Sequence, residues 1–172
     1  MQLLVEKYCP TKVSEFIGAQ DAKDAALDLL SDPNSAAFLF IGASGTGKTS
    51  LALALAGELG AMLHHVPSQS CTVETVKTLR SKLNFTPMFG GFHFVLVDEA
   101  DQMSGAAQLA WLSILDKTNR PENTIIVFTC NETERFESRF TSRCECIKFS
   151  NPRDTKGNGG AIGARVESRS IE

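Results

Sequence analysis

The chain has 172 residues, enough for one domain whose hydrophobic core needs neither disulfides nor a metal ion for its stability. Hydrophobic residues make up 42% of the sequence and charged residues 22%, both normal for a globular soluble protein. The formal net charge of −3 gives no overall attraction to nucleic acid, so any basic surface must be local.

The predicted elements alternate between helix and strand. In chain order they are a helix at 22–30, a strand at 38–41, a helix at 51–59, a strand at 62–66, a helix at 73–83, a strand at 92–97, a helix at 107–115, and strands at 125–130 and 146–149. The strands are mostly continuous apolar runs, which are typical of strands covered on both faces. The predicted fold class is therefore α/β, with a parallel five-stranded sheet flanked by helices. Thr72 is placed to cap the helix at 73–83.

A change in composition divides the chain near residue 150. Residues 1–150 contain the predicted elements and form the predicted core domain. Residues 151–172, NPRDTKGNGGAIGARVESRSIE, are rich in glycine and charge, and we expect a disordered tail or linker there. The alternative, a short helix at 161–166, is disfavoured by the glycines.

The five cysteines are odd in number and include no Cys-x-x-Cys pair, which favours free thiols over a disulfide framework or a zinc site. No apolar run is long enough to span a bilayer, and the first residues, MQLLVEKYCP, become charged too early for a secretory signal. We expect a cytoplasmic protein with no membrane partner, in the nucleus if the source is eukaryotic and in the host cytoplasm if it is viral.

Residues 42–49, GASGTGKT, fit the pattern G-x4-G-K-[ST] between a predicted strand and a predicted helix. Glycines there let backbone N–H groups turn toward phosphate oxygens, and the amino end of the helix adds a positive potential. Lys48 would reach the β- and γ-phosphates, and Thr49 would hold Mg²⁺. A glycine-rich turn with an incidental lysine is the alternative. The candidate nucleotide-binding residues are Gly42, Ala43, Ser44, Gly45, Thr46, Gly47, Lys48, Thr49 and Ser50.

Two acidic residues follow the apolar strand at 92–97. Because ligands of open α/β sheets bind at the carboxyl ends of the strands, we expect Asp98 and Glu99 to face the glycine-rich loop. Asp98 would hold Mg²⁺ through water, and Glu99 would polarise the attacking water. The alternative is a solvated strand end without a catalytic role.

Residues 98–101 spell DEAD, which raises an RNA helicase as a rival. The glycine-rich loop of those helicases usually begins with alanine, whereas this one begins with Gly42, and little chain remains for a second helicase domain. The segment VDEADQMSGAAQLAWLSILDK instead resembles the small subunits of sliding-clamp loaders, the replication factor C type within the AAA+ ATPases. The segments VEKYCPTKVSEFIGAQ, IIVFTCNE and FTSRCECIKF also resemble this family, so the resemblance runs from about residue 5 to residue 149.

The resemblance implies further site residues. Asn131 matches the family's sensor asparagine, and Arg143 matches the arginine that reaches the nucleotide of the neighbouring subunit. Tyr8 and Pro10 match the segment that lies over the adenine, although Cys9 stands where the family has an arginine. Alternatives are a strand-ending asparagine in a turn and a surface arginine in an ion pair, a role for which Arg135 and Arg139 are better candidates.

The family's activity supplies the expected function. It implies ATP and Mg²⁺ as cofactors, ATP hydrolysis, a ring of clamp loader subunits, and a sliding clamp and primer–template DNA as partners. The family's helical lid and collar do not fit in residues 151–172, so we expect this chain to lack them and to hydrolyse ATP weakly in isolation. The alternatives are another AAA+ ATPase of DNA repair or recombination, and a nucleotide-binding scaffold with little turnover.

Overall fold

The computed structural model describes residues 10–87 and 91–149. Its helices and strands, in chain order, are α1 (Gln20–Ser31), β1 (Ala36–Ile41), α2 (Lys48–Glu58), β2 (Met62–Pro67), α3 (Val73–Leu83), β3 (His93–Asp98), α4 (Gly105–Leu115), β4 (Thr124–Cys130), α5 (Ser138–Thr141) and β5 (Glu145–Lys148). Every predicted strand and helix is present. Among the α-helices and strands of the described residues, only the short α5 was not predicted. The predicted tail at 151–172 lies outside the described residues.

The five strands form one parallel sheet in the order β2-β3-β4-β1-β5. The three central strands are the most apolar, and all seven residues of β4 are buried. Each parallel neighbour is reached by a crossover connection, and a helix lies in the connections after β1, β2 and β3. The α/β class with a parallel five-stranded sheet is therefore confirmed.

Helices cover both faces of the sheet. On one face α3, α4 and α5 pack around Trp111, whose ring meets Phe128 edge-on at a centroid distance of 5.1 Å. On the other face α1 and α2 pack through Leu29, Leu51 and Leu55. Because both faces are covered, the carboxyl ends of the strands are left as the edge where a ligand can enter.

Side-chain caps fix where two helices begin. The hydroxyl of Thr72 accepts a hydrogen bond from the Thr75 amide at 3.2 Å, which confirms the predicted cap of α3. Ser104 caps α4 in the same way by accepting from the Ala107 amide at 3.2 Å. In contrast, α2 begins after Gly47 without any side-chain cap, which leaves amide groups at its amino end for another acceptor.

Two of the three histidines link the edge strand β2 to its surroundings. His64 Nε2 lies 3.0 Å from His93 Nδ1, and His93 Nε2 lies 2.6 Å from the carbonyl oxygen of Phe85. A carbonyl only accepts, so His93 Nε2 carries a proton and donates it. In neutral His93 the other ring nitrogen accepts from His64. The pair thus ties β2, β3 and the segment after α3 together.

This pair predicts a loss of stability in mild acid. Burial lowers the pKa of His64 below its ordinary value of 6.5, and His93 and Lys82 lower it further. His64 is therefore protonated more readily in the unfolded chain than in the folded chain. The free energy of unfolding is highest above about pH 6.5 and falls as the pH decreases from there. We expect His64→Gln, which can still donate to His93 but cannot titrate, to reduce this fall. Urea unfolding at pH 8 and pH 5.5, followed by the fluorescence of Trp111, measures it, and an unchanged pH dependence would contradict the prediction.

Candidate functional site

The glycine-rich loop lies between β1 and α2 at the carboxyl edge of the sheet. Gly45 and Gly47 have φ angles of 79° and 89°, which side chains other than glycine rarely adopt. Gly47 is also the residue before the first turn of the uncapped helix α2. The loop therefore brings the free amide groups at the amino end of α2 to the cleft, where an anion is stabilised by those groups and by the helix dipole.

Two glycines of the loop are also required by close packing. A Cβ atom at Gly42 would lie 2.6 Å from the carbonyl oxygen of Phe149, whose amide donates to the Ile41 carbonyl at 2.7 Å. A Cβ atom at Gly47 would overlap the ring of Phe16. Phe16, before α1, and Phe149, after β5, thus pack against the loop from two sides. Among residues 10–87 and 91–149, no neighbouring atom lies within 4 Å of where a Cβ atom at Gly45 would be.

Lys48 is the first residue of α2 and only 8% exposed. Its ammonium donates to the carbonyl oxygens of Gly42 at 2.6 Å and Ala43 at 2.9 Å, and to Asn131 Oδ1 at 3.4 Å. These three contacts use all three ammonium donors. Burial lowers the pKa of Lys48, and Cys130, Asp101 and Asp98 act in the opposite direction. An anion entering the loop would have to exchange with these contacts.

Asp98 ends β3 and faces three donors. Its Oδ1 accepts from the hydroxyls of Thr49 at 2.7 Å and Thr129 at 2.8 Å, and its Oδ2 lies 3.0 Å from His65 Nε2. Mg²⁺ prefers oxygen ligands, and a hydroxyl next to a carboxylate at the mouth of an anion-binding loop fits such an ion. The residues present therefore fit both a phosphate chain and Mg²⁺.

Glu99 leaves the strand in a left-handed conformation, with φ 53° and ψ 44°. This conformation is uncommon for a residue other than glycine and concentrates at functional sites. The Glu99 amide donates to the hydroxyl of Thr129 at 3.1 Å, which holds the turn against β4. The exposed Glu99 carboxyl thereby joins the cleft instead of continuing along the strand direction.

These groups line one cleft of about 270 Å³. Its lining residues are Ser44, Gly45, Gly47, Lys48, Thr49, Ser50, Asp98, Glu99, Thr129, Cys130 and Asn131. Burial raises the pKa of the Cys130 thiol to about 12, so this thiol is uncharged at neutral pH and is no nucleophile there. The structure thus brings the loop, the two acidic residues and the predicted sensor asparagine to a single place.

Arg143 lies near the amino ends of the strands, on the side of the sheet away from the cleft. It precedes β5, which runs from Glu145 toward the cleft edge, where Lys148 pairs with Ile41. Arg143 Nη1 donates to the Arg139 carbonyl at 2.8 Å, and no ion pair of Arg143 occurs among residues 10–87 and 91–149. Its guanidinium is therefore not part of the cleft in its own chain.

The other predicted residues have separate outcomes. Arg135 pairs with Glu132 at 3.7 Å and Arg139 with Glu137 at 2.7 Å, as expected for surface arginines. Pro10 is half-buried and does not line the cleft. Tyr8, the other predicted adenine contact, lies outside the described residues.

Sequence reasoning missed Cys130, which lines the cleft, and three residues that contact the loop or Asp98. Thr129 contacts Asp98 because β4 lies beside β3, His65 contacts it from β2, and Phe16 packs on the loop. Strand order is the signal that would have found Thr129 and His65, because the register pairs Val97 with Phe128 and so sets Asp98 beside Thr129. It gives no signal for Phe16, which lies before α1 and outside every strand. Periodicity along one strand contains no information about which strand is its neighbour.

Comparison with known families now defines the class. Residues 38–151 match the family described as the ATPase family associated with various cellular activities, AAA. This match covers most of the chain, and the chain belongs to the AAA ATPase family.

Its relatives narrow that class. Replication factor C subunit 2 of Arabidopsis thaliana is 31% identical over 157 residues, which cover 85% of this chain and 46% of that protein. The replication factor C small subunit of Thermofilum pendens is 29% identical over 156 residues, which cover 86% of this chain and 47% of that protein. The predicted resemblance to small subunits of the replication factor C type is confirmed. The chain spans about half the length of the curated relatives it matches.

A solved structure supports the fold. The RuvB Holliday junction branch migration motor of Thermotoga maritima superposes with a TM-score of 0.67 at 19% identity, covering 81% of this chain and 47% of that one. At this identity the likeness concerns the fold alone. In the part of the chain that the structure describes, none of the helices combines the length and the apolar character needed to cross a bilayer.

The packing of the loop predicts different effects for two glycine substitutions. Gly45→Ala introduces only the strain of a left-handed residue, about 1–2 kcal/mol, because the added methyl group meets no neighbour among the described residues. We expect Gly47→Ala to be more destabilising, since the added methyl group also overlaps Phe16. Urea unfolding of both variants measures the difference, and the double variant Gly47→Ala/Phe16→Leu should recover part of it. Equal losses for the two single variants would contradict the packing argument.

Proposed function

We propose that this chain is the ATP-binding core of a sliding-clamp loader subunit, and that it binds and hydrolyses Mg²⁺–ATP during the loading of a clamp onto primer–template DNA. The observation that carries the proposal is the convergence of Lys48, Thr49, Asp98, Glu99 and Asn131 at one cleft. The similarity to replication factor C subunits supports the role in clamp loading.

Each residue has a role in this proposal. The amides of residues 42–47 and the ammonium of Lys48 bind the phosphates, since a buried ammonium next to free amides is an anion site. Thr49 would hold Mg²⁺ through its hydroxyl and Asp98 would hold it through water, and the ion would neutralise charge on the phosphates. Glu99 orients the attacking water and accepts its proton, and the Asn131 side chain binds near the γ-phosphate.

The position of Arg143 supports action on a neighbouring subunit. It lies near the amino ends of the strands, away from its own cleft, so an arginine acting on ATP would have to come from another copy or another subunit of the ring. Such an arginine stabilises the charge of the transition state. We therefore propose a ring of loader subunits in which each cleft is completed by the next subunit.

Partners beyond the ring follow from the same proposal. ATP binding would favour the ring form that opens a sliding clamp and grips primer–template DNA, and hydrolysis would release both. Lys77, Arg80 and Lys82 are exposed on α3 and are candidates for contact with the DNA backbone. An ordinary solvated helix face is the alternative for these three residues.

The test of hydrolysis uses Glu99→Gln. We expect this variant to bind ATP as tightly as the wild type but to lower kcat by roughly a hundredfold or more, because it removes the proton acceptor. Phosphate release and calorimetric ATP binding measure the two quantities, and Glu132→Gln, an exposed residue outside the cleft, is the control. If the wild type and Glu99→Gln bind ATP and are equally inert, the chain is a nucleotide-binding scaffold instead.

The test of clamp loading uses the partners. We expect the ATPase activity to rise when a sliding clamp and primed DNA from the same source are added together with the co-purified subunits. Activity that ignores the clamp but responds to branched DNA would favour a recombination ATPase over a clamp loader.

A further prediction concerns Arg143. In an assembly of this chain, Arg143→Ala should bind ATP normally yet lose turnover by roughly a thousandfold or more, the usual contribution of such an arginine. Mixing Arg143→Ala with Glu99→Gln should restore part of the activity, because some clefts then combine an intact Glu99 with a neighbour's intact Arg143. Arg139→Ala, whose side chain pairs with Glu137, is the control. No recovery on mixing would contradict a role between subunits.

A further inference from the structure

The carboxylate of Asp98 has a contact that the proposed chemistry does not use. His65, on the edge strand β2, places its Nε2 3.0 Å from Asp98 Oδ2. The register sets Pro67 opposite Asp98, so His65 lies two residues earlier on the same face of the sheet. Because a carboxylate only accepts hydrogen bonds, Nε2 carries the proton and His65 is the donor.

The three donors to Asp98 come from three different elements. Thr49 of α2 and Thr129 of β4 both donate to Oδ1, and His65 of β2 is the donor on Oδ2. An ionised carboxylate has about four acceptor positions, so Oδ2 keeps one of its two for another donor. Without His65, only Oδ1 would be held, and the carboxyl group would be freer to rotate about its last side-chain torsion, which is broad in aspartate.

We propose that His65 is a positioning residue for the binding of the divalent cation. Its hydrogen bond holds the Asp98 carboxylate in the orientation that accepts a hydrogen bond from a metal-bound water. The inference rests on the proposed function, because the cation arrives with the nucleotide. The side chain of His65 is 44% exposed, and exposed charged contacts contribute little to folding stability. Its loss should therefore weaken cation binding far more than it weakens the fold.

The experiment measures metal affinity directly on the full chain. Mn²⁺, which is paramagnetic, is titrated into the chain saturated with a non-hydrolysable imido analogue of ATP, and binding is followed by electron paramagnetic resonance. We expect His65→Leu to raise the Kd of Mn²⁺ by roughly five- to tenfold, the effect of losing one ordinary hydrogen bond. The affinity for the analogue without metal should not change.

Matched variants separate positioning from a general effect on the strand. His65→Gln keeps an N–H donor at a similar reach and should restore the Kd of Mn²⁺ to near the wild-type value. His64→Gln removes an imidazole from the same strand, but His64 contacts His93 and not Asp98, so the Kd should stay unchanged. Should His65→Leu prove unfolded by Trp111 fluorescence, His65→Thr tests the same loss with a strand-favouring residue too short to reach Asp98.

Two results would overturn the inference alone. The first is that the wild type binds the analogue and Mn²⁺, but with the same affinities as His65→Leu or His65→Thr. The second is that His65→Gln binds Mn²⁺ as weakly as His65→Leu does. A wild type that binds no analogue at all overturns the proposed function and this inference together, so the two failures are distinguishable.

Discussion

Hydrogen bonding between parallel strands is the constraint on which the whole site depends. Parallel pairing places the carboxyl ends of β1, β3 and β4 at one edge of the sheet, and the register sets Ile41 beside Cys130 and Val97 beside Phe128. The segments that follow these three strands are the glycine-rich loop, the acidic pair and Asn131. They meet because the strands pair, although the sequence separates them widely.

Two charged groups of the cleft, those of Lys48 and Asp98, each have three hydrogen-bond partners within the chain. Lys48 is held by two loop carbonyls and Asn131, and Asp98 by two hydroxyls and His65. Buried polar groups are costly when unpaired, so this network is a physical requirement of a site built next to an apolar core. A nucleotide would exchange these contacts for its own. Phe16 and Phe149 pack against the loop, which limits how far the loop can open during such an exchange.

The carboxyl ends and the amino ends of the strands carry different chemical groups, and this difference suits an assembly of subunits. The glycine-rich loop and the carboxylates lie at the carboxyl ends of the strands, while Arg143 lies before β5 near their amino ends. A single chain cannot bring both ends to one nucleotide because the covered sheet lies between them. The proposed ring of loader subunits would bring the Arg143 of one subunit to the cleft of the next.

The sequence by itself determined the element types, the α/β class, and the positions of the glycine-rich loop and the acidic pair. Continuous apolar runs, a glycine-rich loop before a helix and acidic residues after a strand are local patterns, because each depends on backbone geometry within a few residues. Only the tertiary structure decided that Thr129 and His65 donate to Asp98, that Phe16 occupies the space a side chain at Gly47 would need, and that Arg143 lies outside its own cleft. These facts depend on strand order and on packing across the sheet, which join residues far apart in the chain and leave no periodic trace within any one segment.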